Sequence, residues 1–159
     1  MKKMNICLWF DNEAEAAVKY YMSVFKDGKI LSTVPYITDT PSNKPKGSVM
    51  VVYFEILGET FLALNGGPYF KLSEAVSFVV NCKDQKEIDY YWEKLSAVPE
   101  SEQCGWLKDK YGVSWQIVPT AMDEMMEKGS KEQIAQVTEA FLKMKKFDIA
   151  QLQKAYEGG

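Results

Sequence analysis

Histidine is absent from this 159-residue chain. That single gap removes the commonest general base, the commonest ligand for zinc, iron or nickel, and every Ser-His or Cys-His nucleophile. Cysteine is scarce: Cys7, Cys82 and Cys104 show no metal-binding spacing and their odd number makes a poor disulfide framework, so they read as reduced thiols. No apolar run approaches the roughly 20 residues that span a bilayer. Met1-Lys2-Lys3 has a faint signal-like charge, but Asn5 and Asp11 cut the following apolar stretch short. Positive charge is also in short supply. The net charge is −3, and the one basic cluster, Lys143, Lys145 and Lys146, reads as a solvated helix end. A cytoplasmic protein with no nucleic-acid or membrane partner is the expectation.

What is present describes an ordinary globular protein. Hydrophobic residues make up 47% and charged residues 26%. The length suits one domain, residues 1–159, with enough chain to bury a core. Ile6, Leu8 and Phe10 alternate with Asn5, Cys7 and Trp9, which predicts a strand with one face inward. Asp11-Asn12 breaks it and offers a cap to a helix carrying Ala14, Ala17, Val18, Tyr21 and Phe25 at helical spacing. Strands are expected at Lys29–Pro35, Ser48–Ile56 and Glu59–Leu64, the last two joined at Leu57-Gly58. The polar stretch Tyr36–Gly47, with Pro41 and Pro45, reads as a mobile loop.

After Asn65-Gly66-Gly67-Pro68 the order begins again. A strand at Ala75–Asn81 and a helix at Asp84–Leu95 precede a hairpin of Gln103–Lys108 and Ser114–Pro119. An offset of 70 residues pairs Ile6 with Val76, Leu8 with Phe78, Phe10 with Val80, and Tyr20-Tyr21 with Tyr90-Tyr91. The expected fold is therefore α+β: two β-α-β-β-β modules, about 4–64 and 75–119, joined by a linker at 65–74 and forming a curved sheet that lines a cleft. A helical tail at 121–159 follows, where Ile134, Val137, Phe141 and Met144 make an apolar stripe for its own domain or a second copy.

Three stretches carry a family likeness. Cys7-Leu8-Trp9-Phe10-Asp11, Leu64-Asn65-Gly66-Gly67-Pro68, and Gln103–Asp109 followed by Tyr111–Pro119 resemble the PhnB-like proteins, also called 3-demethylubiquinone-9 3-methyltransferase domains. These are a branch of the vicinal oxygen chelate superfamily of glyoxalases, bleomycin-resistance proteins and dioxygenases. The resemblance implies a homodimer and a cleft whose metal ligands come from the first and last strands of each module. Carried over, those positions fall on Asn5, Ala75, Ala63 or Asn65, and Gln116. Amides and methyls cannot hold a catalytic metal well, so neither metal nor cofactor is expected. Methyl transfer lacks support too, because neither strand-helix junction, Asp11-Asn12 or Asn81–Asp84, contains a glycine.

Two readings of function remain. In the favoured one the protein binds a small apolar or aromatic molecule, with Asn5, Cys7, Trp9, Ser77, Cys104, Trp106 and Gln116 lining the site, since all come from the cleft side or its rim. Trp115 faces the helix and belongs to the core. Cys104 has only Lys108 or Lys110 nearby in sequence to activate it and reads as an inert thiol. The alternative is an enzyme whose acid–base groups are carboxylates, tyrosines or Cys104, and raised carboxylate pKa values would favour it.

Overall fold

A computed structural model describes residues 3–40 and 43–158; Met1, Lys2, Pro41, Ser42 and Gly159, on which parts of the leader and loop readings rest, lie outside the described residues. The chain forms two compact units, Met1–Leu72 and Ser73–Gly159. The first comprises β1 (Ile6–Phe10), α1 (Ala14–Val24), β2 (Lys29–Pro35), β3 (Val49–Ile56) and β4 (Glu59–Asn65). The second comprises β5 (Phe78–Cys82), α2 (Gln85–Leu95), β6 (Trp106–Lys108), β7 (Ser114–Pro119), α3 (Thr120–Lys128), α4 (Lys131–Phe141) and α5 (Ile149–Tyr156). The expected α+β architecture of two strand-helix modules with a helical tail stands.

The first sheet is open, in the order β1-β4-β3-β2, with β1 parallel to β4 and the other pairs antiparallel. Leu8 and Phe10, Phe61 and Ala63, and Val52, Phe54 and Ile56 all turn to one side and are buried. α1 covers that side with Ala14, Ala17, Val18, Tyr21 and Val24. Tyr21 stacks on Phe54 and Phe54 on Phe61, at centroid distances of 5.9 and 5.3 Å. Rings buried this fully contribute about 1.5–3 kcal/mol each from burial, with stacking added. The turn Leu57-Gly58 has φ of 49° and 76°, the mirror-image turn that suits a two-residue hairpin.

The start of α1 departs from expectation. Neither Asp11 nor Asn12 caps it: Glu13 is the boundary residue and makes no side-chain cap. The Ala14 N–H instead donates to Asn65 Oδ1, 51 residues away, at 2.9 Å. The Asn65 amide nitrogen donates to the Val49 carbonyl at 3.0 Å and to Glu15 at 3.2 Å, so one buried side chain ties α1, β3 and β4 together. The polar stretch before β3 is likewise tied down. Tyr36 donates to the Asn65 carbonyl at 2.6 Å, and Lys44, only 8% exposed, bonds the Asp11 carbonyl and carboxylate.

The second sheet has three strands, β5-β7-β6, with β5 parallel to β7. Where the first unit runs a fourth strand, residues after α2 form a short 3₁₀ turn at Pro99–Ser101, and Ala97 donates to the Lys108 carbonyl on the outer edge of β6. The two parallel ladders have the same five-pair form, and matching them sets Ile6 on Phe78 and Phe10 on Cys82. The two units repeat the strand-helix order, with strand starts 72 residues apart and helix starts 71 apart. A slip of two leaves the alternation of faces unchanged, so periodicity alone cannot detect it.

The tail folds onto its own unit. Asp84, Ser130 and Asp148 cap α2, α4 and α5, Ser130 in a reciprocal capping box with Gln133. α4 stops at Phe141, so Met144 lies beyond the helix, and Val137, Phe147 and Leu152 carry the buried contacts. The Cys104 and Gly105 N–H groups donate to the Met144 and Lys145 carbonyls at 2.9 and 2.7 Å. A Cβ on Gly105 would sit 2.4 Å from the Phe147 ring, which explains the glycine in Gln103-Cys104-Gly105-Trp106. Of the expected apolar stripe, Val137 is buried and Ile134, Phe141 and Met144 are half-buried.

Candidate functional site

Each sheet commits one face to its helix, so the opposite face holds the side chains available for function. On the first unit that face has graded rows. Cys7 lies beside Leu62, Leu62 opposite Tyr53, and Tyr53 opposite Ser32. Trp9, Leu64, Val51 and Val34 form the next row. Toward the other end Thr60 faces Glu55, which pairs with Lys29 at 2.7 Å, and Asn5 lies just before β1. The face thus runs from polar to aromatic.

Its aromatic end is built around Trp9. The indole N–H donates to the Gly67 carbonyl at 2.7 Å, and the ring meets Phe70 edge-on at 4.9 Å. A Cβ on Gly66 would come within 2.3 Å of that ring, so Gly66 is the space the indole occupies. Tyr69 and Phe70, each 66% exposed, extend the aromatic surface.

On the second unit Phe78, Val80, Cys82, Trp115 and Ile117 turn toward α2, as expected for Trp115. Val79, Gln116 and Trp106 form a row on the opposite face. Gln116 Nε2 donates to Ser77 Oγ at 2.9 Å, so two expected site residues bind each other. The neighbouring row holds Ser114 opposite Lys108, whose ammonium pairs with Glu74. Cys104 belongs elsewhere: it has φ of 49° in the turn that receives the tail, and its sulfur accepts from Gln103 at 3.3 Å.

Two buried oxygens on these faces find no hydrogen-bond partner: Asn5 Oδ1 and Ser114 Oγ. A buried hydroxyl without a partner costs about 1–3 kcal/mol. Ser114, Lys108, Glu74, Tyr53 and Leu62 were not among the expected site residues. Tyr53, Leu62, Lys108 and Ser114 share the strand faces that alternation turns away from the helices, whereas Glu74 comes from the turn before β5. Asp109, fully buried, is satisfied by the Tyr111 and Val113 N–H groups and the Trp115 indole at 2.8, 3.1 and 2.9 Å, and so holds the β6–β7 turn.

The donor set at the superfamily's metal positions is neutral. Asn5 immediately precedes β1, Ser77 immediately precedes β5, and Ala75 lies in the turn before it. Ala63 is buried against α1, Asn65 is consumed by the α1 junction, and Gln116 bonds Ser77. These side chains do not fit a catalytic transition metal. Among the described residues no three His, Cys, Asp or Glu side chains gather as a metal site.

Acid–base candidates are equally sparse. Lys108 holds the Glu74 carboxyl below its ordinary range, Lys146 does the same to Asp89, and the Gln151 N–H lowers Asp148. Carboxylates shifted downward are poor general acids at neutral pH. Burial, then Glu87 and Asp84, push the Cys82 thiol up to about 12, and burial raises Cys7. A separate hollow of about 170 Å³ between α3 and α5, lined by Ala121, Met125, Gln153 and Tyr156 among others, is smaller than the roughly 300 Å³ of a usual ligand pocket.

Comparison with known proteins adds the following. The family model described as 3-demethylubiquinone-9 3-methyltransferase matches residues 2–118, which leaves the tail outside the match. The PhnB protein of Bacillus cereus is 31% identical, with a TM-score of 0.61 over 75% of this chain and 100% of that one. Protein PA1353 of Pseudomonas aeruginosa is 17% identical, with a TM-score of 0.55 over 75% and 98%. The fosfomycin resistance protein FosX of Listeria monocytogenes is 12% identical, with a TM-score of 0.50 over 78% and 97%. No curated protein matches.

Ser114→Ala removes a partnerless buried hydroxyl at little cost in volume. We predict that it leaves the ligand-free protein as stable or up to about 1 kcal/mol more stable. Chemical denaturation measures this; a loss of more than that amount would show that Ser114 Oγ has a structural partner.

Proposed function

We propose that this chain, which belongs to the 3-demethylubiquinone-9 3-methyltransferase family within the PhnB-like branch of the vicinal oxygen chelate superfamily, is a metal-free binding protein for a small apolar or aromatic molecule. One observation carries the reading: on the open face of the second sheet, Gln116 and Ser77 bond each other at 2.9 Å beside Trp106. An amide and a hydroxyl next to an indole can orient and stack a ligand, whereas they supply no anionic donor to a metal. The Trp9, Tyr69 and Phe70 surface of the first unit supports the same reading.

Methyl transfer is not the activity we propose. The β1–α1 and β5–α2 junctions carry Asp11, Glu13, Glu15, Asp84 and Glu87 instead of a glycine-rich turn. Raised carboxylate pKa values would favour the alternative of an enzyme using carboxylates, tyrosines or Cys104, and Glu74, Asp89 and Asp148 shift the other way. No helix among the described residues is long and apolar enough to cross a membrane. Three free thiols suit the reducing, cytoplasmic setting we favour.

The binding reading is tested by titrating naphthalene, indole and biphenyl compounds against the protein by NMR, with and without EDTA. At least one compound should bind with Kd below about 1 mM, insensitively to EDTA. Trp106→Ala or Trp9→Ala should then weaken it by about fivefold or more. Failure of every compound, or binding that depends on a removable metal, would refute the reading.

We also propose a homodimer. The tail stripe gives a weak motive, since Val137 is buried and Ile134, Phe141 and Met144 are half-buried in their own chain. β2 gives a stronger one: this edge strand is exposed along its length, with Ile30, Leu31 and Val34 apolar. Light scattering at micromolar concentration should return a mass near twice 18.1 kDa; a monomer mass that persists as concentration rises would refute it.

A further inference from the structure

All 19 basic residues of this chain are lysines; it has no arginine. The planar fork that usually grips carboxylates and phosphates is therefore missing, and an anionic group must be met by a lysine with neutral donors beside it. The open face of the second sheet brings such groups together. Lys108 stands opposite Ser114 on the β6–β7 pair, and its side chain is only 22% exposed. Ser114, 2% exposed, has a hydroxyl with no partner. Ser77 Oγ accepts from Gln116, which leaves its own proton to donate. Trp106 and Val79 flank Gln116 in the next row and present an apolar surface.

We infer that the Lys108 end of this face seats the carboxylate of an aromatic acid, with its ring against Trp106. The assignment rests on the small-molecule reading above and names the class of molecule. Glu74 supports it directly. This exposed carboxylate, from the turn before β5, holds the Lys108 ammonium, so the chain's own carboxylate already shows the group that this position accepts. A ligand carboxylate replaces Glu74 at Lys108 and brings an acceptor within reach of the Ser114 and Ser77 hydroxyls. Glu74, released, turns to water. A phosphate dianion fits less well, because one lysine offsets only one of its charges.

The test compares 2-naphthoate with its neutral analogue 2-naphthamide, by titration of the wild type, Lys108→Met and Glu74→Gln. The wild type should bind the acid about tenfold more tightly than the amide. Lys108→Met, which keeps the length of the side chain, should abolish that preference by weakening the acid about tenfold more than the amide. Glu74→Gln frees Lys108 from its internal partner and should tighten the acid by roughly threefold with no effect on the amide. Because Glu74 is exposed, this second variant gives a result even if Lys108→Met folds poorly. Equal affinities for acid and amide in all three proteins would overturn the carboxylate seat and leave the small-molecule reading intact. Absence of binding by both compounds to all three would overturn the carboxylate seat, and the small-molecule reading would fall only if the indole and biphenyl compounds failed as well.

Discussion

Pairing a strand in parallel with the last strand of its own unit is the constraint on which the rest depends. β1 with β4 and β5 with β7 each force a helical crossover, and the crossover helix must bury its apolar stripe against the sheet it left. That fixes which side of each sheet is core. Leu8, Phe10, Phe54, Phe61, Val80 and Ile117 have no other place to go. The remaining side is then relieved of packing duty, and polar, sulfur and aromatic side chains can accumulate there. Asn65 completes the first unit in a way alternation alone does not, by supplying the hydrogen bond that the start of α1 lacks.

Much of this was legible in the residues. The faces of β1, the core position of Trp115 and the turns at Leu57-Gly58 and 110–112 all follow from period-two alternation and turn chemistry. What was not legible has identifiable causes. Shifting the repeat offset by two preserves every inward and outward assignment, so alternation alone does not choose between Ala75 and Ser77 as the counterpart of Asn5. The α1 cap came from 51 residues away, beyond any local motif. The missing strand of the second module was invisible because residues 97–105 are too short and turn-rich to show a period. The stripe through Ile134, Val137, Phe141 and Met144 kept helical spacing past the point where α4 stops, since spacing does not report where hydrogen bonding ends.

The candidate site was legible in part. Asn5, Cys7, Trp9, Ser77, Trp106 and Gln116 lie on the predicted side of their strands or next to them, whereas Cys104 occupies a strained turn whose N–H groups hold the tail. The polar groups that shape the binding proposal, Lys108, Ser114 and Glu74, came from the pairing of β6 with β7. That pairing converts distant positions into neighbours. A partnerless buried hydroxyl works against stability, and Ser114, on the face turned away from α2, is such a group.

The division of each sheet into a core face and an open face can be measured with the protein's own thiols. Cys7 sits on the open face of β1 and is exposed, while Cys82 sits on the helix face of β5 and is buried. In a Cys104→Ser background, a thiol-reactive chromophore added to the folded protein should modify Cys7 and leave Cys82 silent until denaturant unfolds the chain. Modification of Cys82 at a rate comparable to Cys7 in the native protein would contradict the face assignment, and the binding account built upon it.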